Sequence, residues 1–294
     1  MRDQATKTFR DAIIQGFPTL TVDDLSYLSE GKDSVAVLVN RHLLFRFPKH
    51  PLAEQKLRME IALLPELAPS VPLLIPHFLP TPRLPVQAYP YLFACYEMLP
   101  GVPLQQYTPA IWDATWWQSG VGTFVTTLHR FPVEHATQVG VKEYTGATWR
   151  EKYRAFFASV CRMVYPLIAP LQRIAISRYF EDFLGNPAHF TFTPVLLHAD
   201  LHARHILLDV AAQRVTGVID FGECCVGDPA IDVRDAWLPY YDGMVDTTWH
   251  ERRAFYYRLP ALAQVATAGD YGQEWVEEGL ATINRQWPDQ QSSA

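Results

Sequence analysis

Between residues 26 and 47, short apolar runs alternate with polar positions. A period of two is typical of β-strands that bury one face. Turn residues interrupt the pattern at Gly31-Lys32-Asp33 and at Asn40-Arg41, and Pro48 ends it because proline cannot donate a hydrogen bond within a sheet. The pattern predicts an antiparallel series of three strands, at about 26–30, 35–39 and 42–47.

A helix and a fourth strand complete this first region of the chain. Apolar residues recur at helical spacing over residues 52–67. The proline-rich residues 69–90 predict an irregular crossing, and the apolar residues 91–98 predict a buried strand. Leu99-Pro100-Gly101 then interrupts the pattern. We therefore expect an N-terminal lobe of residues 1–99 that ends in a hinge near residues 97–101.

The rest of the chain, residues 100–294, has mostly helical periodicity. One β-hairpin interrupts it, with strands near 206–209 and 215–219. The predicted fold is α+β, with a small antiparallel β-sheet lobe that carries one helix and a larger, mainly helical lobe. The helices are predicted at about 108–130, 147–184, 247–268 and 270–286.

The composition is that of a soluble globular protein, with 49% hydrophobic and 19% charged residues among 294. A net charge of −6 argues against nucleic acid as the main partner. No apolar run approaches the roughly 20 residues that a membrane-spanning helix needs. The N-terminus lacks a signal-peptide core, and the four cysteines have neither disulfide nor zinc spacing. We expect a cytoplasmic protein, monomeric or weakly dimeric, without a membrane partner.

The candidate chemistry lies on both sides of the predicted hairpin. His198-Ala199-Asp200 and His205 precede it, and Asp220-Phe221-Gly222 follows its second strand. The hairpin brings Asp200, His205 and Asp220 to one end, as phosphoryl transfer requires: one carboxylate orients the acceptor hydroxyl, and two further groups hold metal ions. Asp200 is the acceptor-side candidate, and His205 and Asp220 are the metal-side candidates. The order resembles the catalytic loop and D-F-G of kinases, with histidine in place of asparagine.

Two alternatives from other classes stay open. His198, Asp200, His202 and His205 lie within eight residues, and zinc hydrolases use such ligands. A zinc site would leave Asp220-Phe221-Gly222 unexplained, so we expect His198 to brace the loop and His202 to face solvent or substrate. A nucleotide-binding protein without transfer activity is the other alternative, although the intact Asp200 and Asp220 argue against it.

The N-terminal strands are expected to hold the nucleotide. Arg46 lies in the third predicted strand and Glu60 on the following helix, where the two can pair as a phosphate-binding cation and its positioning carboxylate. Alternatively, both are solvated surface charges. Ser34, in the turn between the first and second predicted strands, is placed to cover the phosphates. The chain contains no Walker A sequence.

Two further aspartates are expected to organise loops. Asp228 precedes Pro229, a suitable first residue of a helix, so its side chain can cap that helix. Asp232 can accept hydrogen bonds from the catalytic loop. Both are predicted to support the loop and to make no contact with substrate.

Over nearly its whole length, the sequence resembles the aminoglycoside phosphotransferases, most closely the 2''-O-phosphotransferases. The segments that carry the resemblance are Phe17-Pro18, Leu38-Val39-Asn40, Phe45-Arg46-Phe47-Pro48-Lys49, Phe131-Pro132-Val133-Glu134 and Gly217-Val218-Ile219-Asp220-Phe221-Gly222.

This resemblance implies a two-lobed protein-kinase-like fold and transfer of the γ-phosphoryl group of GTP or ATP to a hydroxyl group of an antibiotic. Asp200 then corresponds to the catalytic aspartate, while His205 and Asp220 correspond to Mg²⁺ ligands. Arg46 and Glu60 occupy the nucleotide-clamp positions, with arginine in place of the commoner lysine.

The resemblance also assigns the purine site. Tyr96 stands at the gatekeeper position, and the hinge residues Glu97, Met98 and Leu99 follow it. Members of the family with tyrosine there tend to use GTP, because the bulky ring crowds the binding mode of adenine. We expect that GTP is accepted, with ATP open.

The acceptor site departs from the family pattern. The family's antibiotic pocket carries acidic residues, but the corresponding pair falls near Leu238-Pro239 in this sequence. Aminoglycosides are the first candidate acceptors, followed by macrolides or another small hydroxylated metabolite. The candidate acceptor-binding residues are Glu223, Asp235, Trp237, Glu274 and Glu278.

Overall fold

In the N-terminal half, four antiparallel strands form one sheet in the order β1-β2-β3-β4. The computed structural model describes residues 2–82, 86–267 and 273–289. The first three strands agree with the predicted ranges within one residue, whereas the fourth is shorter than predicted and begins only at Ala94. The strands are β1 (Leu25–Glu30), β2 (Ser34–Val39), β3 (Leu43–Pro48) and β4 (Ala94–Glu97).

The turn between β2 and β3 is stabilised by its own residues. Asn40 and Arg41 both have positive φ, 51° and 64°, and three residues separate the paired Val39 and Leu43. The Asn40 side-chain oxygen accepts hydrogen bonds from the backbone N–H groups of Asp23 and Asp24, at 2.9 and 3.2 Å. The turn therefore fixes both strands and the segment before β1.

Two helices pack with the sheet, α1 (Arg2–Gly16) and α2 (Pro51–Leu67). The start of α2 is set by His50, whose Nδ1 accepts a hydrogen bond from the N–H of Ala53. The sequence reading missed α1. Its buried residues Phe9, Ala12 and Ile13 recur at helical spacing, which is the signal that identifies it.

The C-terminal half contains seven helices in the part of the chain that the structure describes. Two predicted helices, 108–130 and 147–184, are each broken in two. The second break separates Met163 from Pro170, because prolines at 166 and 170 cannot donate the hydrogen bonds of a continuous helix. Predicted residues 268 and 270–272 lie outside the described residues. The helices are α3 (Pro109–Trp112), α4 (Thr115–His129), α5 (Val133–Gln138), α6 (Gly146–Met163), α7 (Pro170–Gly185), α8 (Trp249–Ala266) and α9 (Gln273–Gln286).

Two small three-stranded sheets carry the candidate chemistry. One has the order β5-β8-β9 and contains the predicted hairpin; the other has the order β6-β10-β7. The strands are β5 (Val102–Pro103), β6 (Lys142–Glu143), β7 (Val195–Leu197), β8 (Ile206–Asp209), β9 (Arg214–Val218) and β10 (Cys225–Gly227).

These strands determine where the motifs lie. The loop 198–205 joins β7 to β8, and Asp220 follows two residues after β9. Because β8 and β9 are antiparallel, with Ile206 opposite Val218, the start of β8 and the end of β9 lie side by side. The predicted convergence of the two motifs is therefore present.

The two halves meet at Leu99-Pro100-Gly101. The Thr216 hydroxyl donates to the Pro100 carbonyl at 2.5 Å, and a side chain at Gly101, where φ is 114°, would meet that hydroxyl at 2.3 Å. Only glycine fits this close approach. The division into lobes at residue 99 stays a prediction. No helix among the described residues is long and apolar enough to cross a membrane.

Candidate active site

The loop that carries Asp200 is held by Asp232. One oxygen of this buried carboxylate accepts a hydrogen bond from the N–H of His198 at 2.7 Å, and the other accepts from the N–H of Ala199 at 2.8 Å. Ala199 has a φ of 62°, which is unfavourable for a residue with a Cβ. Burial alone would raise the pKa of Asp232, but its hydrogen bonds with the His129 side chain and the His198 backbone N–H hold it below its usual value. Asp232 therefore stays ionised and stabilises the strained loop.

His198 connects this loop to the segment before Asp220. Its Nδ1 accepts a hydrogen bond from the N–H of Asp200 at 3.3 Å, and its Nε2 donates to the carbonyl oxygen of Ile219 at 3.1 Å. These two bonds use both ring nitrogens of the neutral imidazole. Complete burial lowers the pKa of His198, which keeps the ring neutral.

His205 presents one nitrogen towards Asp220. Its Nδ1 donates to the backbone carbonyl of Asp200 at 2.9 Å, which leaves a lone pair on Nε2, 3.4 Å from a carboxylate oxygen of Asp220. Burial lowers the pKa of His205, so the ring is neutral at neutral pH. A neutral imidazole is the form that binds metal ions.

Asp220 supplies a charged oxygen next to this nitrogen. Its φ of 67° is tolerated better by aspartate than by most residues. Burial opposes ionisation, but the Arg46 guanidinium and a hydrogen bond from the backbone of Gly222 lower the pKa of Asp220 below its usual value. The Nε2 of His205 and the carboxylate of Asp220 therefore form a donor pair that fits a divalent cation.

Asp200 lies in a different electrostatic environment. Burial, followed by the negative charges of Asp220 and Glu223, raises its pKa to about 7. Its carboxylate oxygens lie 3.6 Å from Nε2 of His202 and 3.7 Å from Nδ1 of His205. Asp200 is thus a carboxyl group whose pKa is close to neutral pH.

Asp200, His202 and His205 also form a possible metal-binding group, with one ligand atom of each lying within 4.8 Å of the others. This is the cluster behind the zinc alternative. In His205, Nδ1 already donates to a carbonyl and Nε2 faces Asp220, so neither nitrogen is free to complete a site with Asp200 and His202 in the present arrangement.

The predicted pair of Arg46 and Glu60 is present. Nη1 of Arg46 lies 2.6 Å from a carboxylate oxygen of Glu60, and Nη2 lies 3.6 Å from Asp220. Burial and the negative charge of Asp220 raise the pKa of Glu60, although the positive charge of Arg46 opposes this shift. The carboxylates of Glu60 and Asp220 raise the pKa of Arg46, although burial alone would lower it. The pair is buried, so the reading of both as solvated surface charges is wrong.

A cleft of about 410 Å³ opens between the sheet and these groups. Ser34, Arg46 and Tyr96 line it, as do Asp200 and Asp220. Glu97 and Leu99 directly follow Tyr96 and do not line the cleft. Its charged side chains are three cations, Lys32, Arg46 and Lys56, and four carboxylates, Asp33, Asp200, Asp220 and Glu223.

Lys56 is a residue of this cleft that the sequence reading missed. Its ammonium group lies 2.6 Å from Asp33 and also contacts Glu223, so it ties the β1–β2 turn to the segment after Gly222. The signal was available, because Lys56 and Glu60 are four residues apart on α2 and share one face. Glu223, predicted for the acceptor, lines this cleft beside Arg46 and is not among the residues that line the cavities containing Asp235.

Asp200 also lines a second cavity, of about 620 Å³. Asp200 and Asp235 are its two carboxylates, and Asp235 pairs with Arg253. A neighbouring cavity of about 390 Å³ is lined by His202 and Trp237. The two cavities share Arg234, Asp235 and Tyr257.

The other predicted site residues lie elsewhere. Glu274 and Glu278 on α9 line none of these cavities. Asp228 accepts a hydrogen bond from the N–H of Ala230 at 3.0 Å, which caps a single 3₁₀ turn, and pairs with the buried Arg252 at 2.7 Å. Asp228 thus joins the segment after β10 to α8 and does not reach the Asp200 loop directly.

Solved structures with the same fold include phosphotransferases of two kinds. The GDP complex of wild-type aminoglycoside 2'-phosphotransferase IIIa matches with 24% identity and a TM-score of 0.82, covering 95% of this chain and 97% of that one. The GDP and kanamycin complex of APH(2'')-IIIa matches with 23% identity and a TM-score of 0.82, covering 94% and 97%. Macrolide 2'-phosphotransferase from Brachybacterium faecium matches with 23% identity and a TM-score of 0.69, covering 91% and 95%.

These likenesses confirm the predicted α+β, kinase-like fold. No curated sequence was found to match the chain. A sequence profile described as the phosphotransferase enzyme family matches residues 24–268, which is most of the chain. The protein therefore belongs to the phosphotransferase enzyme family.

Proposed function

We propose that this enzyme transfers the γ-phosphoryl group of GTP or ATP to a hydroxyl group of a small molecule, with antibiotics as the acceptor class. One observation carries the proposal: Asp200 lines both the cleft beside Arg46 and Asp220 and the cavity that contains Asp235. Two substrates bound in these cavities would meet at its carboxylate.

Asp200 acts as the general base. Its carboxylate accepts the proton of the acceptor hydroxyl while the hydroxyl oxygen forms a bond to the γ-phosphorus. The bond between that phosphorus and its bridging oxygen breaks, and the nucleoside diphosphate leaves. A pKa of about 7 suits a group that must take up a proton near neutral pH.

His205 and Asp220 would hold magnesium, because a neutral nitrogen and an ionised carboxylate face one another there. Magnesium held by this pair would neutralise negative charge on the nucleotide phosphates and so reduce their repulsion by the carboxylates. Arg46 contacts the phosphates, and Glu60 orients Arg46 from its buried position. Ser34 covers the phosphates from the first position of β2.

His198 and Asp232 position the catalytic loop through the hydrogen bonds described above, and Asp228 supports the segment that leads to Asp232. None of the three contacts a substrate. They keep the Asp200 carboxylate at the boundary of the two cavities, and such placement of the reacting groups provides much of the rate of phosphoryl transfer.

The purine lies beside Tyr96 and hydrogen-bonds to the backbone of the hinge at Glu97 and Leu99. Tyr96 is buried, and its ring packs edge-on against Phe78 with 5.4 Å between ring centroids, so it cannot swing away freely. A fixed, bulky ring favours guanine over adenine, and GTP is accepted. Exclusive use of ATP in a competition assay with both nucleotides would reject this assignment.

The acceptor binds on the side of Asp235 and Trp237. Solved structures with this fold include enzymes named for aminoglycosides and for macrolides, so both classes are candidate acceptors, together with other hydroxylated metabolites. Since nucleoside triphosphates are supplied in the cytoplasm, we place the enzyme there, as a monomer or weak dimer without nucleic-acid or membrane partners.

Incubation of the enzyme with magnesium, GTP or ATP and a panel of antibiotics, read by product mass, tests the proposal. Gain of one phosphoryl group by an acceptor supports it. Nucleotide binding without transfer to any acceptor indicates a binding protein instead. Tightly bound zinc in the purified protein, without nucleotide-dependent uptake of magnesium, indicates a metallohydrolase.

A further inference from the structure

The acceptor-side cavity is positively charged in a protein whose net charge is −6. Among the residues that the structure describes, its wall carries four cationic side chains, Lys152, Arg234, Arg253 and Arg258, against two carboxylates, a formal charge of +2. A site for a compound with several ammonium groups would need the opposite balance, because like charges in a partly desolvated site repel strongly.

Three of these cations already have partners among the described residues. Arg253 pairs with Asp235. The ammonium group of Lys152 lies over the Trp149 ring, 4.3 Å from its centroid, and Arg258 lies over the Tyr179 ring at 5.3 Å. Pairing with Arg253 also reduces the capacity of Asp235 to neutralise a cationic acceptor.

Arg234 differs from the other three. Its Nε donates to the carbonyl oxygen of Leu201 at 3.2 Å, and within the described ranges no carboxylate lies within ion-pair distance of its guanidinium group. Burial lowers its pKa, consistent with a cation that has lost water without gaining a carboxylate partner. The remaining N–H groups of a guanidinium bind a carboxylate or phosphate through two parallel hydrogen bonds.

The position of Arg234 connects this cation to the reaction. It lines the cavity of about 620 Å³ that contains Asp200 and also the aromatic cavity of about 390 Å³ that contains Trp237. An acceptor that reached Asp200 from either cavity would therefore pass Arg234.

We propose that Arg234 binds an oxyanion of the acceptor, and that the acceptor is a hydroxylated compound with a carboxylate or phosphate group, not a polycationic aminoglycoside. This inference rests on the proposed function and narrows its acceptor. Arg234 is a specificity-determining residue: it selects the charge of the compound that presents its hydroxyl group to Asp200.

Ligand binding tests the inference without turnover. Magnesium and GDP are first added to saturate the nucleotide cleft. Inorganic phosphate and glucuronate should then raise the melting temperature of the enzyme. Glucosamine, which has the same sugar ring but carries an ammonium group, should not raise it. The rise should disappear in Arg234→Gln and persist in Arg234→Lys. Arg162→Gln removes the same charge from an exposed position on α6 that lines none of the cavities, and it should keep the rise.

Acceptor kinetics provide the second arm. The Arg234→Glu variant should increase kcat/KM for kanamycin by about tenfold or more, because a cation is replaced by a carboxylate beside the acceptor. Arg162→Glu should leave it unchanged, and neither variant should change the KM of the nucleotide.

The outcomes separate this inference from the proposed function. An equal phosphate-induced rise in Arg234→Gln and the unsubstituted enzyme, or no rise in either, overturns the oxyanion site. Efficient phosphorylation of kanamycin that Arg234→Glu does not improve overturns the charge selection. Failure to bind nucleotide or to phosphorylate any acceptor refutes the proposed function, whereas the response of Arg234→Gln to phosphate still decides whether the oxyanion site exists.

Discussion

The two cavities that meet at Asp200 have opposite charge balances. The cleft beside Arg46 has three cations and four carboxylates, whereas the cavity beside Arg234 has four cations and two carboxylates. A polyphosphate would be repelled by the first cavity unless divalent cations entered with it, and a polyamine would be repelled by the second. Charge thus makes the nucleotide side dependent on metal and the acceptor side selective for the charge of the acceptor.

The residues around Asp200 form the wall between the two cavities, and hydrogen bonds hold this wall in place. Ala199 and Asp220 have left-handed backbone conformations, and buried hydrogen bonds to Asp232 and through His198 hold this region in place. The cavities can therefore change in charge without displacing Asp200, provided that this wall is intact. The following predictions use that separation, from the largest effect to the smallest.

Replacing the shared residue should stop the reaction while both cavities keep their ligands. Asp200→Asn removes the base, and kcat should fall by about 10²–10⁴-fold. The dissociation constant of magnesium-GDP, measured by calorimetry, should change little. Asp182→Asn, an exposed control on α7, should retain full activity. Substantial transfer by Asp200→Asn would remove Asp200 from the mechanism.

Disturbing the nucleotide side should leave acceptor binding intact. Glu60→Gln weakens the ion pair that orients Arg46, and misplacement of a catalytic group can reduce kcat/KM for GTP by about 100-fold. Glu66→Gln, an exposed carboxylate on the same helix, is the matched control. Initial rates at varied GTP measure the effect. Equal behaviour of the two variants would show that the Arg46–Glu60 pair does not position the phosphates.

Two carboxylates assigned together from the sequence should now act on different substrates. Glu223 lines the cleft and pairs with Lys56, whereas Asp235 lines the acceptor cavity and pairs with Arg253. Glu223→Gln should change the KM of the nucleotide by a factor of about 3, and Asp235→Asn should change the KM of the acceptor to a similar extent, since both pairs are partly exposed. If both variants altered the same KM, Glu223 and Asp235 would not act on different substrates.

The smallest effect is on stability. Because folding raises the pKa of Asp200 to about 7, ionisation of this group is less favourable in the folded protein than in the unfolded chain. The protonated Asp200 carboxyl therefore stabilises the folded protein fully at pH values below the pKa of Asp200 in the unfolded chain. This stabilisation is lost as the pH rises through 7. Partial exposure limits the loss to about 1 kcal/mol, or a shift of about 2–4 °C in melting temperature.

Asp200→Asn should accordingly melt at a higher temperature than the unsubstituted enzyme at pH 8, and the difference should shrink as the pH falls and disappear only near the unfolded-state pKa of about 4. Calorimetry without nucleotide or magnesium measures this difference. A difference that is independent of pH would show that the Asp200 carboxylate is not destabilised in the folded enzyme.

The sequence predicted those features that local chemistry determines. Asn40 is a residue type that readily adopts the positive φ of its turn, and the hairpin between Asp200 and Asp220 is short enough that its two ends must converge. Long-range features were less accessible. Nothing local to Glu223 indicates that Lys56, distant in the sequence, will pair with it. The pairing of Asp235 with Arg253 likewise depends on how α8 packs beside the catalytic loop, as does the lack of a carboxylate partner for Arg234 among the residues that the structure describes.

Initial-velocity kinetics with both substrates varied tests the central claim most directly. If the nucleotide and the acceptor occupy the two cavities together and meet at Asp200, double-reciprocal plots should intersect, and the intact mass of the enzyme should show no phosphoryl-enzyme. Parallel lines with a phosphorylated enzyme would mean that the substrates bind in turn to one site, and would contradict the account.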